Sequence, residues 1–172
     1  MQALKIPKDR IAVVIGKEGG TKKELELKMN AKLNIDSETG EVEIIMNEPY
    51  EALQELRAVD IIRAIGRGFS PEKALNLLNE NFYFEVIDIK DYAGKSQKHI
   101  ARLKSRVIGS EGKTRKLIEE LTGAYISVYG SAVSVIAELE TLNTAKKAID
   151  MLLSGCEHST VYRYLERARS LA

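Results

Sequence analysis

The chain has 172 residues, 44% of them hydrophobic and 30% charged, a composition that suits one ordinary domain or two small ones and carries no signature of disorder. No stretch nears the roughly 18 apolar residues of a membrane span, the opening Met1-Gln2-Ala3-Leu4-Lys5-Ile6-Pro7 lacks a leader's apolar block, and the single Cys156 rules out an internal disulfide or a cysteine-rich zinc site. The net charge of +1 hides an asymmetry: residues 1–80 hold 12 Lys/Arg against 14 Asp/Glu, while residues 81–172 hold 14 against 11.

Taken in chain order, the apolar spacing predicts a short strand over 2–6 and a short helix over 8–15 that stops at Gly16. After the turn Gly16-Lys17-Glu18-Gly19, a helix over 21–30 sets Leu25 and Met29 one turn apart. Strands over 32–35 and 41–46 flank Ser37-Glu38-Thr39-Gly40, which is turn chemistry. Residues 50–65, with apolar positions at 53, 56, 59, 61, 62 and 65, form an amphipathic helix ended by Gly66 and Gly68. Ser70 then caps, and Pro71 begins, one more short helix.

The second half repeats this plan. A strand is expected over 82–89, a longer helix over 96–108, a turn at Gly109-Ser110-Glu111-Gly112 followed by a helix, strands over 125–128 and 132–138, and a long helix over 142–153. A final helix is expected to open at Ser159-Thr160. The repeat is also literal. At an offset of 93, Ile15-Gly16-Lys17-Glu18-Gly19 meets Ile108-Gly109-Ser110-Glu111-Gly112, and Thr21, Lys22, Lys23, Leu25 and Glu26 meet Thr114, Arg115, Lys116, Ile118 and Glu119. Ala58 to Gly68 similarly parallels Ala145 to Gly155. A duplicated β-α-α-β-β-α unit places the domains at 1–80 and 81–172, each with a short trailing helix.

A Gly-x-x-Gly turn between two helices lets a ligand approach the backbone without Cβ obstruction and presents the next helix's free N–H groups, which suits a phosphate backbone. This is the arrangement by which KH domains clamp about four nucleotides of single-stranded nucleic acid. The expected fold is therefore α+β, two tandem type I KH domains. The second loop is the more basic. Lys95, Lys98, Arg102, Lys104, Arg106, Lys113, Arg115 and Lys116 surround it, with Glu111 the one acid between positions 95 and 116. Around the first, Lys5, Lys8, Arg10, Lys17, Lys22, Lys23 and Lys28 are diluted by Asp9, Glu18, Glu24 and Glu26. The expected RNA-binding residues are Gly109, Ser110, Glu111, Gly112, Lys113, Arg115, Arg106, Arg102 and Lys104 in the second unit, and Gly16, Lys17, Glu18, Gly19, Lys22 and Arg10 in the first. Tyr125 and Tyr129 stand open between base stacking and packing.

Other chemistries fit less well. A nucleotide-binding P-loop ending at Gly112-Lys113-Thr114 needs its first glycine at position 107, which is Val107, and a strand where a helix is expected. His99 and His158 are far apart in sequence, and Cys156-Glu157-His158 has no further ligand nearby. No catalytic, metal or cofactor site is expected. Two binding alternatives stay open: a general KH protein of RNA decay or translation control, and a protein adaptor using an acidic face of Glu48, Glu51, Glu55 and Asp60.

In the second unit, Arg106-Val107-Ile108-Gly109-Ser110-Glu111-Gly112-Lys113-Thr114-Arg115, then Ile118 to Thr122, Ser154-Gly155 and Val161-Tyr162 resemble the Dim-two family, also called partner of Nob-one, over nearly the whole chain. The resemblance implies a ribosome-assembly factor that binds small-subunit ribosomal RNA near its 3′ end in late maturation, beside the endonuclease that trims it. It also implies a contact with the alpha subunit of initiation factor two in archaeal members; the expected cytoplasmic location, without membrane association, rests instead on the single cysteine and the lack of a leader or long apolar run. Carried over residue by residue, the family's binding positions are Gly109, Ser110, Glu111, Gly112 and Lys113, flanked by Arg106 and Arg115. An intact Gly16-Lys17-Glu18-Gly19 and the lack of an N-terminal extension depart from the eukaryotic pattern and point to an archaeal type, with the first loop either a second RNA grip or a partner surface.

Overall fold

The computed structural model describes residues 1–172, which divide into two compact units, Met1–Glu80 and Asn81–Ala172. The first runs β1 (Gln2–Lys5), α1 (Lys8–Ile15), α2 (Gly20–Met29), β2 (Ala31–Asp36), β3 (Glu41–Met46) and α3 (Ala52–Gly66), with a 3-10 turn over the glycine loop. Its antiparallel sheet has the order β1-β3-β2, so that Ile44 on the central strand faces Gln2 on one side and Leu33 on the other. Strand alternation buries Val42, Ile44 and Met46, and the helices bring Val14, Leu25, Ile61, Ile62 and Ile65 into the core.

The β2–β3 turn is closed by Asp36, whose Oδ1 accepts the N–H groups of Glu38 at 2.8 Å and Thr39 at 3.2 Å. Those donors, Thr39 foremost, hold the Asp36 carboxyl below its ordinary value. After α3 comes a single helical turn, α4 (Pro71–Ala74), and a 3-10 turn over Leu75–Leu78. Ser70 caps α4 through Lys73 N–H, and Arg57 donates to the carbonyls of Leu77 and Asn79 at 2.9 and 3.0 Å, which ties this segment back onto α3.

The second unit repeats the order: β4 (Phe82–Asp88), α6 (Gln97–Ile108), α7 (Lys113–Thr122), β5 (Tyr125–Tyr129), β6 (Ala132–Glu138) and α8 (Leu139–Leu153), with sheet order β4-β6-β5. Between β4 and α6 lies α5 (Lys90–Ala93), a one-turn helix too short to leave a periodic signal. Its core joins Ile100, Leu103 and Val107 of α6 to Ile118, Ile126, Val133, Val135, Ile149 and Leu152. No helix in either unit is long and apolar enough to cross a membrane.

The β-α-α-β-β-α order and the α+β class agree with the sequence reading, and about half of the element ends move by one to three residues. Helix α3 begins at Ala52 because Glu51 and Gln54 close a capping box, and α8 follows β6 without a linker, starting at Leu139 rather than 142. The last helix, α9 (His158–Ser170), opens with Glu157 at the N-cap position, without a side-chain cap, rather than at Ser159-Thr160. The two trailing segments are also unequal. With 13 residues α9 is no short appendage, because Val161 and Leu165, one turn apart, are fully buried against the second core.

Candidate nucleic-acid interface

The two glycine loops adopt one backbone conformation. The first has φ/ψ of 70°/−178° at Gly16, 53°/28° at Glu18 and 74°/12° at Gly19; the second has 74°/175° at Gly109, 55°/28° at Glu111 and 76°/12° at Gly112. Positive φ with ψ near 180° is a region that glycine alone enters readily. At Gly109 a Cβ would also lie 2.2 Å from Thr114 Oγ1 and 2.7 Å from Thr114 N; at Gly16 it would lie 2.1 Å from Thr21 Oγ1. The matched pairs Gly16/Thr21 and Gly109/Thr114 are thus one steric requirement met twice.

Helices α2 and α7 both begin at an αL glycine with no side-chain cap, and the N–H groups of their first residues, Gly20 and Lys113, donate to Lys17 O and Ser110 O within the loop. Ser110, Glu111 and Lys113 are exposed around the second loop, and Lys17 and Glu18 around the first. Such an arrangement lets an anion approach the loop backbone without Cβ obstruction, with lysines at the rim.

Two of the expected contact residues are engaged elsewhere. Arg10 donates through Nε to Ile65 O and through Nη2 to Phe69 O, both at 2.8 Å. Arg106 donates through Nε to Leu152 O at 2.9 Å and through Nη2 to Cys156 O. These are matching carbonyls at and just beyond the C-terminal ends of the duplicated helices α3 and α8, where backbone oxygens run out of intrahelical partners. The two arginines therefore anchor α1 and α6 to the C-terminal ends of α3 and α8. They occupy positions one helical turn apart relative to their glycine loops, so the sequence alignment does not pair them.

A second duplicated device lies beyond the loops. Glu26 Oε1 accepts the Leu33 N–H at 2.9 Å, and Glu119 Oε1 accepts the Ile126 N–H at 3.0 Å, fixing each loop helix to the strand that follows it. Lys22 and Arg115 pair with those same carboxylates, at 4.0 and 3.1 Å. Arg115 is half-buried there, which lessens its freedom to meet a ligand.

In the second unit a groove of about 510 Å³ beside the loop brings together Arg102, Ser110 and Lys113 with two residues the sequence reading left out of the site, His158 and Tyr162. Tyr162 OH shares a 3.0 Å hydrogen bond with Thr114 Oγ1, and His158 Nε2 lies 3.0 Å from Arg106 O. Nothing local marked these two; α9 folds them against the loop from 48 and 52 residues away. Lys104 does not line that groove. Tyr125 and Tyr129 alternate with Ile126, a core residue, and Val128, which packs against that core, so both tyrosines project from the face turned away from the helices.

The acidic face of the first unit is partly occupied internally. Glu55 binds the N-terminal ammonium at 2.9 Å, Glu51 caps α3, and Asp60 lies 3.3 Å from Arg63. Burial raises the Asp60 carboxyl above its ordinary value, against the pull of Arg63 and Arg57. The segment before Gly109 is helical, as the argument against a P-loop requires.

Residues 83–170 match a family model described as a eukaryotic type KH-domain, KH-domain type I, and residues 1–59 match one described as KH domain. The chain is 50% identical over 170 residues to a KH domain-containing protein of Methanocaldococcus jannaschii, which covers 98% of this chain and 74% of that protein. It is 27% identical over 146 residues to the pre-rRNA-processing protein PNO1 of Debaryomyces hansenii, covering 84% of this chain and 56% of the relative, so it spans about half of that protein's length. Among solved structures, Dim2p from Pyrococcus horikoshii is similar at a TM-score of 0.89 and 50% identity, over 96% of this chain and 98% of the other. A chain in the a/eIF2alpha-aDim2p-rRNA complex from the same organism is similar at a TM-score of 0.92 and 48% identity, over 99% and 94%.

Proposed function

Because the chain belongs to the Dim2/PNO1 family of tandem KH-domain proteins, we propose that it is a ribosome-assembly and rRNA-processing factor that grips single-stranded small-subunit ribosomal RNA, near its 3′ end, through its two glycine loops. The observation that carries this reading is the pair of loops with one conformation, each opening on an uncapped helix N-terminus. Phosphates lie against the glycine loops, where Lys113 and Arg102 supply charge at the second loop, and Lys17 and Lys22 do so at the first. Gly16, Gly19, Gly109 and Gly112 shape the backbone. Arg10, Arg106 and Arg115 serve mainly by holding the helices that carry the loops.

The protein binds and positions RNA and performs no chemistry on it. Its action belongs in the cytoplasm, beside the endonuclease that trims the RNA and in contact with the alpha subunit of initiation factor two. The relative complexed with rRNA and a/eIF2alpha supports the RNA and the factor, and the pre-rRNA-processing relatives support the pathway.

The deciding experiment replaces Ser110 and Glu111 together by Asp. Both side chains are exposed, and Asp tolerates the αL backbone of position 111, so the fold survives while added negative charge faces the phosphates. Anisotropy with single-stranded RNA should show affinity falling at least tenfold. Retention within about twofold would refute the loop as the grip. The corresponding Lys17→Asp, Glu18→Asp pair should cost less. With four to six phosphates contacted, log affinity of the unaltered protein should fall against log salt with a slope of about −3 to −4.

A further inference from the structure

The groove between α6 and α9 lies beside the second glycine loop and carries groups that suit a nucleotide. Arg102, Ser105, Ser110 and Lys113 line one side; His158 and Tyr162 line the other. The two rings meet edge to face with centroids 6.1 Å apart. Both are half-buried, so each offers ring surface while its polar atom is held, His158 by Arg106 O and Tyr162 by Thr114. Its volume of about 510 Å³ falls within the 300–1,000 Å³ of small-molecule sites. A second depression of about 500 Å³ adjoins it along α6, sharing Arg102 and Ser105 and adding Lys98 and His99. Arg102 Nη2 lies 2.9 Å from His99 Nε2.

We propose that this α6–α9 groove is a second nucleotide subsite, which takes an RNA residue lying just beyond those held at the glycine loop. Its phosphate meets Arg102 and Lys113, and its base lies against Tyr162 and His158. The inference rests on the RNA-binding reading above and gives the second unit a footprint longer than the roughly four nucleotides of a KH clamp. A base has a π-face whatever its identity, so this contact lengthens the grip without demanding a sequence.

The first unit lacks the parts. At the offset of 93, Asp9 stands where Arg102 does, Ala12 where Ser105 does and Gly20 where Lys113 does. Helix α1 has 8 residues against 12 in α6, and the trailing α4 is a four-residue turn without an aromatic ring. The stronger grip assigned to the second unit thus has a structural source besides charge.

The test measures affinities of the full chain for randomised single-stranded RNA tetramers and for the same pool extended by two nucleotides at the 5′ or the 3′ end. Extension at one end should raise affinity about fivefold or more, the low end of what one stacked base contributes, and should steepen the salt slope by about 0.7 to 1.4. Ser105→Glu sets a carboxylate in the groove, and its native hydroxyl bonds only within α6, to Ala101 O at 3.0 Å. That variant should bring the hexamer-to-tetramer ratio close to one. Tyr162→Phe, which keeps the ring and loses the hydroxyl, should preserve the ratio. If tetramers bind and neither extension helps, or if Ser105→Glu leaves the ratio intact, the subsite is refuted while the loop clamp stands. If neither length binds, both readings fail together.

Discussion

Replacing Gly109 and Gly112 separately by Ala tests whether the loop is as tightly specified as its geometry says. Gly112 has a φ of +76°, but a Cβ there meets nothing closer than Lys116 Cε at 3.8 Å. Ala at that position costs about 1–2 kcal/mol, the ordinary penalty of the left-handed region. Gly109 combines a glycine-only backbone region, about 1–3 kcal/mol, with a Cβ that falls 2.2 Å from Thr114 Oγ1, 2.7 Å from its N and 2.8 Å from its Cβ. Relief requires moving Thr114, which is buried and bonded to Tyr162, at a further cost of about 1 kcal/mol for the hydrogen bond. The sum is about 2–4 kcal/mol. At about 4–8 °C per kcal/mol for a domain of this size, Gly112→Ala lowers the unfolding temperature of the second unit by about 4–16 °C and Gly109→Ala by about 8–32 °C, roughly twice as much. Thermal unfolding followed by near-ultraviolet circular dichroism, with amide exchange over residues 139–153 to locate the loss, reads both. Equal losses for the two variants would refute the assignment of distinct roles to the two glycines.

Two further substitutions probe the supports of the site. Arg106→Met leaves the Leu152 and Cys156 carbonyls without their charged donor and should destabilise the second unit by about 2–3 kcal/mol, while the folded protein keeps its RNA affinity within about twofold. A tenfold affinity loss at unchanged stability would return Arg106 to the contact set. Tyr92 OH donates to Asp150 Oδ1 at 2.6 Å; that bond, with partial burial and the Asp150 charge, pushes the phenol up to about 12. A raised phenol pKa means the folded state favours the protonated form. The stability that Tyr92→Phe lacks should therefore be fully present below about pH 10, the unfolded value, and disappear as pH rises toward 12. Solvent screening keeps it at about 1 kcal/mol or less, and urea unfolding at pH 8 and pH 11.5 measures it. An undiminished difference at pH 11.5 would contradict the Asp150 assignment.

Local rules made much of this molecule legible before folding. Helix and strand periods fixed the element order because amphipathic spacing depends only on near neighbours along the chain. The glycine loops stood out because their backbone needs residues without Cβ, and the duplication showed that need twice in one chain. Charge density near position 109 marked the more basic loop without reference to shape.

Other features depended on residues far apart in sequence. Arg10 and Arg106 read as exposed cations near the loops, since only folding brings them to carbonyls 55 and 50 positions away. His158 read as part of a connection between helices until α9 set it beside Arg106, and Tyr162 had no apparent partner until the same packing brought it to Thr114. The sequence alone determined the repeated unit and its glycine loops, because a backbone conformation restricts which residue can occupy a position. Which cations remain available to RNA, and which rings stand beside the loop, were decided by tertiary structure, because hydrogen bonding and burial belong to neighbours in space.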